Sequence, residues 1–333
     1  MHGNIQKGVR FGAALALALA LCATAALAAE TGGKRLVPVG HTVGVKLFSR
    51  GVVVVKLPEG STPARTCGLK TGDVIEACGG RTVTSTEQFQ SLLQENGTDT
   101  TELSVKRQGS PVTLSVEPER NEEGACCIGA WVRDSMAGIG TVTYYDPDSN
   151  TFGALGHGIT DGDTAALMPF GNGAILPSTV KAVKKGSCGS AGELRGEFDL
   201  TEELGQLYAN TGCGIFGTLN AACSLAEGEA LPVGDASEGP AVIRSNISGD
   251  EVQEYAVEIL KTIPDAPDGR ELVISVTDPK LIAATGGIVQ GMSGSPILQN
   301  GQLIGAVTHV LLSDPTKGYG ISVETMLNTG TMT

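Results

Sequence analysis

Glycine interrupts the apolar segments of this chain so often that long helices have little room to form. The 333 residues include 47 glycines, and only 4% are aromatic. Short apolar runs separated by tight turns are typical of strands. Five such runs lie beyond position 125: residues 141–145, 241–243, 255–260, 272–276 and 304–310. We expect a mainly β protein, with an antiparallel β-barrel arrangement in this part and one helix candidate at residues 200–209.

The first 29 residues form a segment of a different kind. Lys7 and Arg10 precede an uncharged stretch over residues 11–27, which ends in the small-residue pattern ALA at 26–28. This order is typical of a secretory signal peptide. The stretch is also close to the length of a membrane-spanning helix, so an uncleaved anchor stays open. We expect an exported protein, either secreted or held at the membrane by this segment.

Charge and cysteine content narrow the classes of partner. The formal net charge is −13, and nucleic-acid binding needs a basic surface, so no nucleic-acid partner is expected. Removal of the leader, which contains Cys22, leaves seven cysteines, and an odd number cannot all pair internally. Their spacing lacks the pairs of a zinc site, so we predict no metal and no cofactor.

Residues 39–119 have the pattern of a small α/β domain. A strand is expected at 52–57, a helix capped by Ser85 and ended by Gly97, and a hairpin turn at 108–110. With the run GLKTGDVI at 68–75, this order resembles a bacterial PDZ domain. The resemblance implies that backbone amides of Val43, Gly44 and Val45 bind a peptide carboxylate, such as a protein C-terminus or the chain's own N-terminal region. A domain that only packs on its neighbour is the alternative.

A polar stretch at 118–124 reads as a linker, and a second domain follows at 125–333. Its most informative motif is GMSGSP at 291–296. Glycines on both sides of Ser293 allow a tight turn that presents the hydroxyl, while the amides of Gly291 and Ser293 point into one oxyanion pocket. The motif resembles the nucleophile turn of chymotrypsin-like peptidases. A plain surface turn is the alternative.

A serine nucleophile needs a base, and His157 is the best candidate. It lies in FGALGHG at 152–158, where flanking glycines leave room for substrate. His309 is the alternative base, although its position in an apolar strand suggests a buried structural role. A cysteine peptidase that uses Cys188 is a weaker alternative.

The third member of a triad is a carboxylate that holds the imidazole. Asp278 follows the apolar strand at 272–276, and strand ends suit such a group. It competes with three other residues, Asp161, Asp163 and Asp250, and with a simple turn-forming role before Pro279.

Several motifs together resemble the stage IV sporulation protein B peptidase family. They are VTDP at 276–279, GGIVQGMSGSPI at 286–297, GAVTHV at 305–310, DPTKGYG at 314–320, and YDP at 145–147 followed by FGALGHG. The resemblance implies a His157, Asp278 and Ser293 triad on a chymotrypsin-like double β-barrel. Asp278 lies only fifteen residues before Ser293, which departs from the usual chymotrypsin spacing.

The same resemblance implies a function in sporulation signalling. It predicts a serine endopeptidase between the two membranes of a developing spore (the forespore intermembrane space). Such an enzyme cleaves itself near the N-terminus and then cuts a membrane-bound regulator of an intramembrane protease, which activates a late sigma factor. The alternative is a catalytically inactive PDZ-type scaffold in the same compartment.

Overall fold

The computed structural model describes residues 33–220, 223, 225 and 227–331. The predicted signal peptide or anchor, residues 1–29, lies outside the described residues. None of the helices in the described ranges has the length and apolar character needed to cross a membrane.

The described chain is mainly β, which confirms the predicted fold class. Up to position 128 it forms β1 (Arg35–Pro38), β2 (Thr42–Lys56), α1 (Pro63–Thr66), β3 (Val74–Cys78), β4 (Arg81–Thr82), α2 (Thr86–Asn96), β5 (Thr101–Arg107), β6 (Ser110–Val116), β7 (Glu119–Arg120) and β8 (Cys126–Cys127). Beyond it come β9 (Trp131–Asp146), β10 (Thr151–Ala154), β11 (Phe170–Lys184), β12 (Glu193–Phe198), β13 (Gly205–Thr211), β14 (Gly214–Leu219), β15 (Leu231–Pro232), β16 (Gly239–Ser245), β17 (Gln253–Thr262), β18 (Leu272–Val276), α3 (Pro279–Thr285), β19 (Pro296–Gln299), β20 (Gln302–Val310), β21 (Lys317–Ser322) and α4 (Val323–Gly330).

Two β-barrels form the larger part of the fold. In the first barrel, antiparallel pairing runs from β2 through β9, β10, β14, β13 and β11 and back to β2, which closes the ring. The second barrel is closed in the order β16, β17, β18, β21, β20 and β19. Side chains alternate between the two faces of a strand, so one face of each strand can be buried in the barrel. In β17, Tyr255, Val257 and Ile259 are buried while the residues next to them are exposed.

The PDZ-like module is built from the second half of β2 with β3, β5 and β6, and from the helices α1, before β3, and α2, before β5. The Ser85 hydroxyl accepts from the Gln88 amide and begins α2, and Gly97 ends it at φ +67°. Phe89, Leu92 and Leu93 bury one face of this helix in the module core. The predicted strand, helix and hairpin are therefore present, because local capping and turn signals agree with the apolar spacing.

The first barrel begins inside the range assigned to the PDZ-like domain. Val43, Gly44 and Val45 pair with β9 on one edge and with β11 on the other, so the first half of β2 is a barrel strand. The module is therefore inserted between two barrel strands, whereas we expected the domains to follow one another. An apolar strand has the same sequence pattern in either domain, and only its pairing partners assign it.

Two local expectations differ from the structure. The helix candidate at 200–209 is wrong: its second half belongs to β13, where Leu207 is buried in the first barrel. Next to it, the buried Asn210 side chain accepts from the Ile159 amide and donates to the carbonyls of Ile159 and Met168. The expected linker at 118–124 contains β7, which pairs with β8. Strand pairing, with β11 and β14 for the first segment and with β8 for the second, overrides the local signals in both.

Candidate active site

Ser293 lies in a turn that leads into β19 of the second barrel. Gly291 and Gly294 adopt φ of +98° and +97°, a region that side chains with a Cβ disfavour. A Cβ at Gly294 would also collide with the backbone oxygen of Thr141. The partly exposed Ser293 Oγ donates to the Thr308 carbonyl at 2.7 Å. The turn predicted from GMSGSP is therefore formed, and its glycines are required by the backbone.

The amides of this turn are the proposed oxyanion donors. Within the described residues, neither the Gly291 N–H nor the Ser293 N–H makes a hydrogen bond, whereas the amides of Met292, Gly294 and Ser295 are bonded to carbonyls. Unpaired amides at a tight turn are suited to bind developing negative charge. This pattern fits the oxyanion role predicted for Gly291 and Ser293.

His157 lies in the loop after β10, where Leu155 and Gly156 have positive φ. Its Nδ1 is 2.9 Å from the Gly158 carbonyl, which can only accept, so Nδ1 carries the proton and Nε2 is free to accept one in the neutral ring. Burial lowers the pKa of His157, against a smaller raising effect of the Gly158 hydrogen bond. The ring is therefore neutral at neutral pH, as a general base must be.

His309 lies beside His157. The two ring centroids are 5.0 Å apart and tilted by 39°. Burial, together with the nearby charges of His157 and Arg270, lowers the pKa of His309 to about 4. Its Nδ1 is buried and has no hydrogen-bond partner among the described residues. A shift in pairing register between Val307 and His309 accompanies this placement, and the sequence does not show such a shift.

Both histidines and Ser293 line one open cleft of about 890 Å³ at the junction of the two barrels. Much of its wall is apolar, with Ile139, Leu155, Leu194, Ile288 and Leu312. Charged groups also reach it: Glu193, Asp268 and Arg270. A concave, partly apolar cleft with a few convergent polar groups is the usual form of a binding or active site.

The structure does not bring Asp278 to this cleft. Its carboxylate accepts from the amides of Lys280 and Leu281 at 2.8 and 3.1 Å and caps α3. Partial burial raises its pKa, but the amide hydrogen bonds from Leu281, Lys280 and Ala256 outweigh this and lower it overall. No hydrogen bond or ion pair joins Asp278 to His157 in the described part of the chain. Asp278 as the triad carboxylate stays a prediction from the sequence.

The competing carboxylates also have other partners. Asp161 is buried, forms an ion pair with Arg133 and accepts from the Thr164 amide and hydroxyl. Asp163 pairs with the same arginine at 3.0 Å. Asp250 is exposed. The group that orients His157 in this structure is a backbone carbonyl, that of Gly158, which residue-type reasoning could not find.

The predicted carboxylate site at Val43, Gly44 and Val45 has no open edge here, because both neighbouring strands are present. Its binding role also stays a prediction. Cys188 is exposed, and Cys188 does not line the cleft. In the described ranges no group of three or more His, Cys, Asp or Glu side chains is arranged to hold a metal ion.

The fold and the cleft define a class: a double-barrel serine peptidase of chymotrypsin-like architecture with an inserted PDZ-like module. Family models agree with this description. Residues 124–327 match the SpoIVB peptidase S55 family, and residues 37–117 match a PDZ domain. The chain belongs to the SpoIVB peptidase S55 family.

Other proteins are similar to parts of this chain. Serine protease HTRA1 from Xenopus tropicalis is 35% identical over 74 residues, which cover 22% of this chain and 15% of that protein. The matched region thus spans only a small part of this curated relative. The PDZ domain of an SdrC-like protein from Listeria monocytogenes is 21% identical, covering 25% of this chain and 87% of that one, with a TM-score of 0.23. The active form of Rv3671c protease from M. tuberculosis is 16% identical, covering 60% and 76%, with a TM-score of 0.32.

Proposed function

We propose that this protein is a serine endopeptidase in which Ser293 is the nucleophile and His157 the general base. One observation carries the proposal: Ser293, with two unpaired amides in its turn, shares an open cleft with a neutral histidine whose Nε2 is free. Family membership supports the same reaction class.

The reaction follows from these groups. Ser293 Oγ leaves the Thr308 carbonyl and gives its proton to His157 Nε2 as it bonds to the substrate carbonyl carbon. The carbonyl oxygen becomes an oxyanion held by the amides of Gly291 and Ser293. His157 then protonates the departing amine, which leaves an acyl-enzyme. Water gives a proton to His157, attacks this ester, and the proton returns to Ser293 as the acid product departs.

Labelling with a biotinylated fluorophosphonate tests the proposal, because this probe reacts with activated serines. The wild type should be labelled and Ser293→Ala should not. Ser295→Ala is the matched control: its hydroxyl is buried without a hydrogen-bond partner among the described residues, so labelling should persist. A labelled Ser293→Ala variant would reject the assignment. An unlabelled wild type would favour the inactive scaffold.

We also propose the biological setting that the family suggests. The enzyme would be exported to the space between the two membranes of a developing spore, either secreted or held by its N-terminal segment. There it would cleave itself and cut a membrane-bound regulator of an intramembrane protease, so that a late sigma factor becomes active. The name of the family model and the PDZ-domain match support this setting.

Self-cleavage is the part of this setting that is simplest to test. The sequence contains a charged stretch at 30–35 that is a candidate processing region. Wild type and Ser293→Ala, expressed side by side, should differ in their N-terminal sequences. Identical N-termini would remove self-cleavage from the proposal and leave the peptidase assignment untouched.

A further inference from the structure

Thr141 belongs to the first barrel but bonds to the nucleophile turn of the second. It is fully buried in β9. Its hydroxyl donates to the Gly291 carbonyl at 2.7 Å, and its amide donates to the Ser293 carbonyl at 2.9 Å. Its own carbonyl accepts from the Leu155 amide at 3.1 Å, two residues before His157. One residue outside the cleft lining thus bonds both to the nucleophile turn and to the loop that contains His157.

The carbonyls of residues 290–293 in the nucleophile turn each accept a hydrogen bond. Gln290 O accepts from the Leu194 amide at 2.8 Å, and Met292 O accepts from the Ser295 amide at 2.9 Å. Thr141 holds the other two, those of Gly291 and Ser293. Because a peptide unit is planar, a carbonyl that is fixed also fixes the plane to which it belongs.

Gly291 is the weak point of this turn. Without a Cβ it can rotate about φ and ψ more freely than any other residue, and its φ of +98° lies where several conformations are accessible. The Thr141 hydroxyl holds the peptide plane that follows Gly291. The Met292 amide of the same plane donates to the Val289 carbonyl at 3.1 Å, so loss of the Thr141 hydrogen bond removes one of two restraints on this plane. The plane can then tilt about the remaining hydrogen bond, which changes the direction of the neighbouring oxyanion amides.

We propose that Thr141 is a positioning residue for catalysis, which keeps the amides of Gly291 and Ser293 directed at the oxyanion. It does not line the cleft, so it is not placed to contact a substrate bound there. Its effect therefore falls on stabilisation of the transition state and not on substrate binding. The inference rests on the proposed serine peptidase function.

The matched control lies two residues away on the same strand. Thr143 is also fully buried, and its hydroxyl has no hydrogen-bond partner among the described residues. Replacing either threonine by valine keeps the shape of the side chain and removes one hydroxyl. Only Thr141→Val leaves a buried carbonyl of the nucleophile turn without its donor.

The measurement is the rate of reaction with the fluorophosphonate over a range of probe concentrations, which separates the maximal rate from half-saturation. Removal of one oxyanion donor costs about 10²- to 10³-fold, and a misdirected donor costs less, so we expect about a 10- to 50-fold lower maximal rate in Thr141→Val. Half-saturation should change by less than about twofold, because binding is not affected. Thr141→Ser should recover most of the rate, and Thr143→Val should match the wild type.

A maximal rate in Thr141→Val within about twofold of wild type would overturn the inference, as would an equal loss in Thr143→Val. So would a Thr141→Ser variant no faster than the valine variant. If circular dichroism shows that Thr141→Val is unfolded, Thr141→Ala makes the same hydroxyl deletion with a smaller side chain, and the same criteria apply. An unreactive wild type would reject the proposed function itself, so the two failures are distinguishable.

Discussion

Strand β9 borders two grooves of this molecule. The module groove, between the second half of β2 and α2, is filled by the chain's own residues 126–134, whereas the catalytic cleft between the barrels is open. At its start, β9 pairs with the second half of β2, Val54 with Val132 and Lys56 with Trp131. The residues just before it lie along α2, where the side chains of Gln90 and Gln94 donate to the Cys126 carbonyl at 2.9 and 3.1 Å. Further along, residues 136–139 line the cleft between the barrels, which is open.

The filled groove of the PDZ-like module contributes to stability, whereas the open catalytic cleft is available for function. An unpaired strand edge invites association with other chains, and the chain's own segment 126–134 covers the edge of the PDZ-like module. In the catalytic cleft the backbone donors are left open: the carbonyls of residues 290–293 accept hydrogen bonds, while the amides of Gly291 and Ser293 have no partner among the described residues. We expect substitutions in the cleft to change rates and those in the module groove to change local stability.

The largest effect is expected from the catalytic base. His157→Gln should lower kcat/KM for 4-nitrophenyl acetate by about 10⁴-fold or more, because loss of a base that acts as a unit with its nucleophile removes most of the catalysis. His309→Gln is the paired comparison. It should cost less than about tenfold, since burial and neighbouring charges lower the pKa of His309 to about 4, which makes this ring the weaker base. The reverse order of effects would make His309 the base.

The pH dependence is the next largest effect. His157 accepts a proton only when neutral, and burial lowers its pKa below the ordinary value of about 6.5. Activity should therefore be retained as the pH falls through neutrality and drop about tenfold per unit only below the pKa of this ring. The rate of ester hydrolysis from pH 8 to 4.5 tests this. A midpoint at or above 6.5 would contradict the buried, neutral imidazole.

A smaller effect is expected at Asp278. Serine is also a good N-cap, so Asp278→Ser keeps the cap of α3 and removes the charge. The structure predicts a kcat/KM within about threefold of wild type, because the carboxylate is bonded to the helix amides and not to His157. A fall of about 10³- to 10⁴-fold would instead establish Asp278 as the triad carboxylate.

The smallest effect is expected in the module groove. The Asp134 carboxylate accepts from the Thr86 amide at 2.7 Å, in the first turn of α2. Asp134→Ala should lower the free energy of unfolding by about 1 kcal/mol and speed amide hydrogen exchange around 126–134, with the esterase rate unchanged. Glu122→Ala, at an exposed position, is the control. A lower esterase rate in Asp134→Ala would show that the two grooves are coupled along β9.

Sequence reasoning succeeded where the signals are local. The cap at Ser85, the end at Gly97 and the turn at 108–110 each depend on neighbouring residues, and all are present. The class of peptidase was predicted from short motifs, GMSGSP and FGALGHG, each of which contains a candidate functional residue. Asp278 carried a second local signal, since an aspartate followed by proline is also a helix start, and the structure shows that start.

What the sequence does not contain is pairing over long distances. The first half of β2 joins the barrel only because β9 and β11 lie beside it. The roles of Thr308 and Gly158 depend on their backbone carbonyls, which every residue has, so geometry and not residue type makes them part of the site. Thr141 adds a side-chain hydroxyl, but the turn to which it donates lies far away in the sequence, so its role is also not visible there.

The most direct test of the account is the location of the covalent adduct in the wild-type protein. After reaction with the fluorophosphonate, peptide mapping by mass spectrometry should find one modified residue, Ser293, and His157→Gln should show little modification at the same time point. An adduct on another serine, or equal modification in the His157→Gln variant, would contradict the assignment of Ser293 and His157 as the catalytic pair.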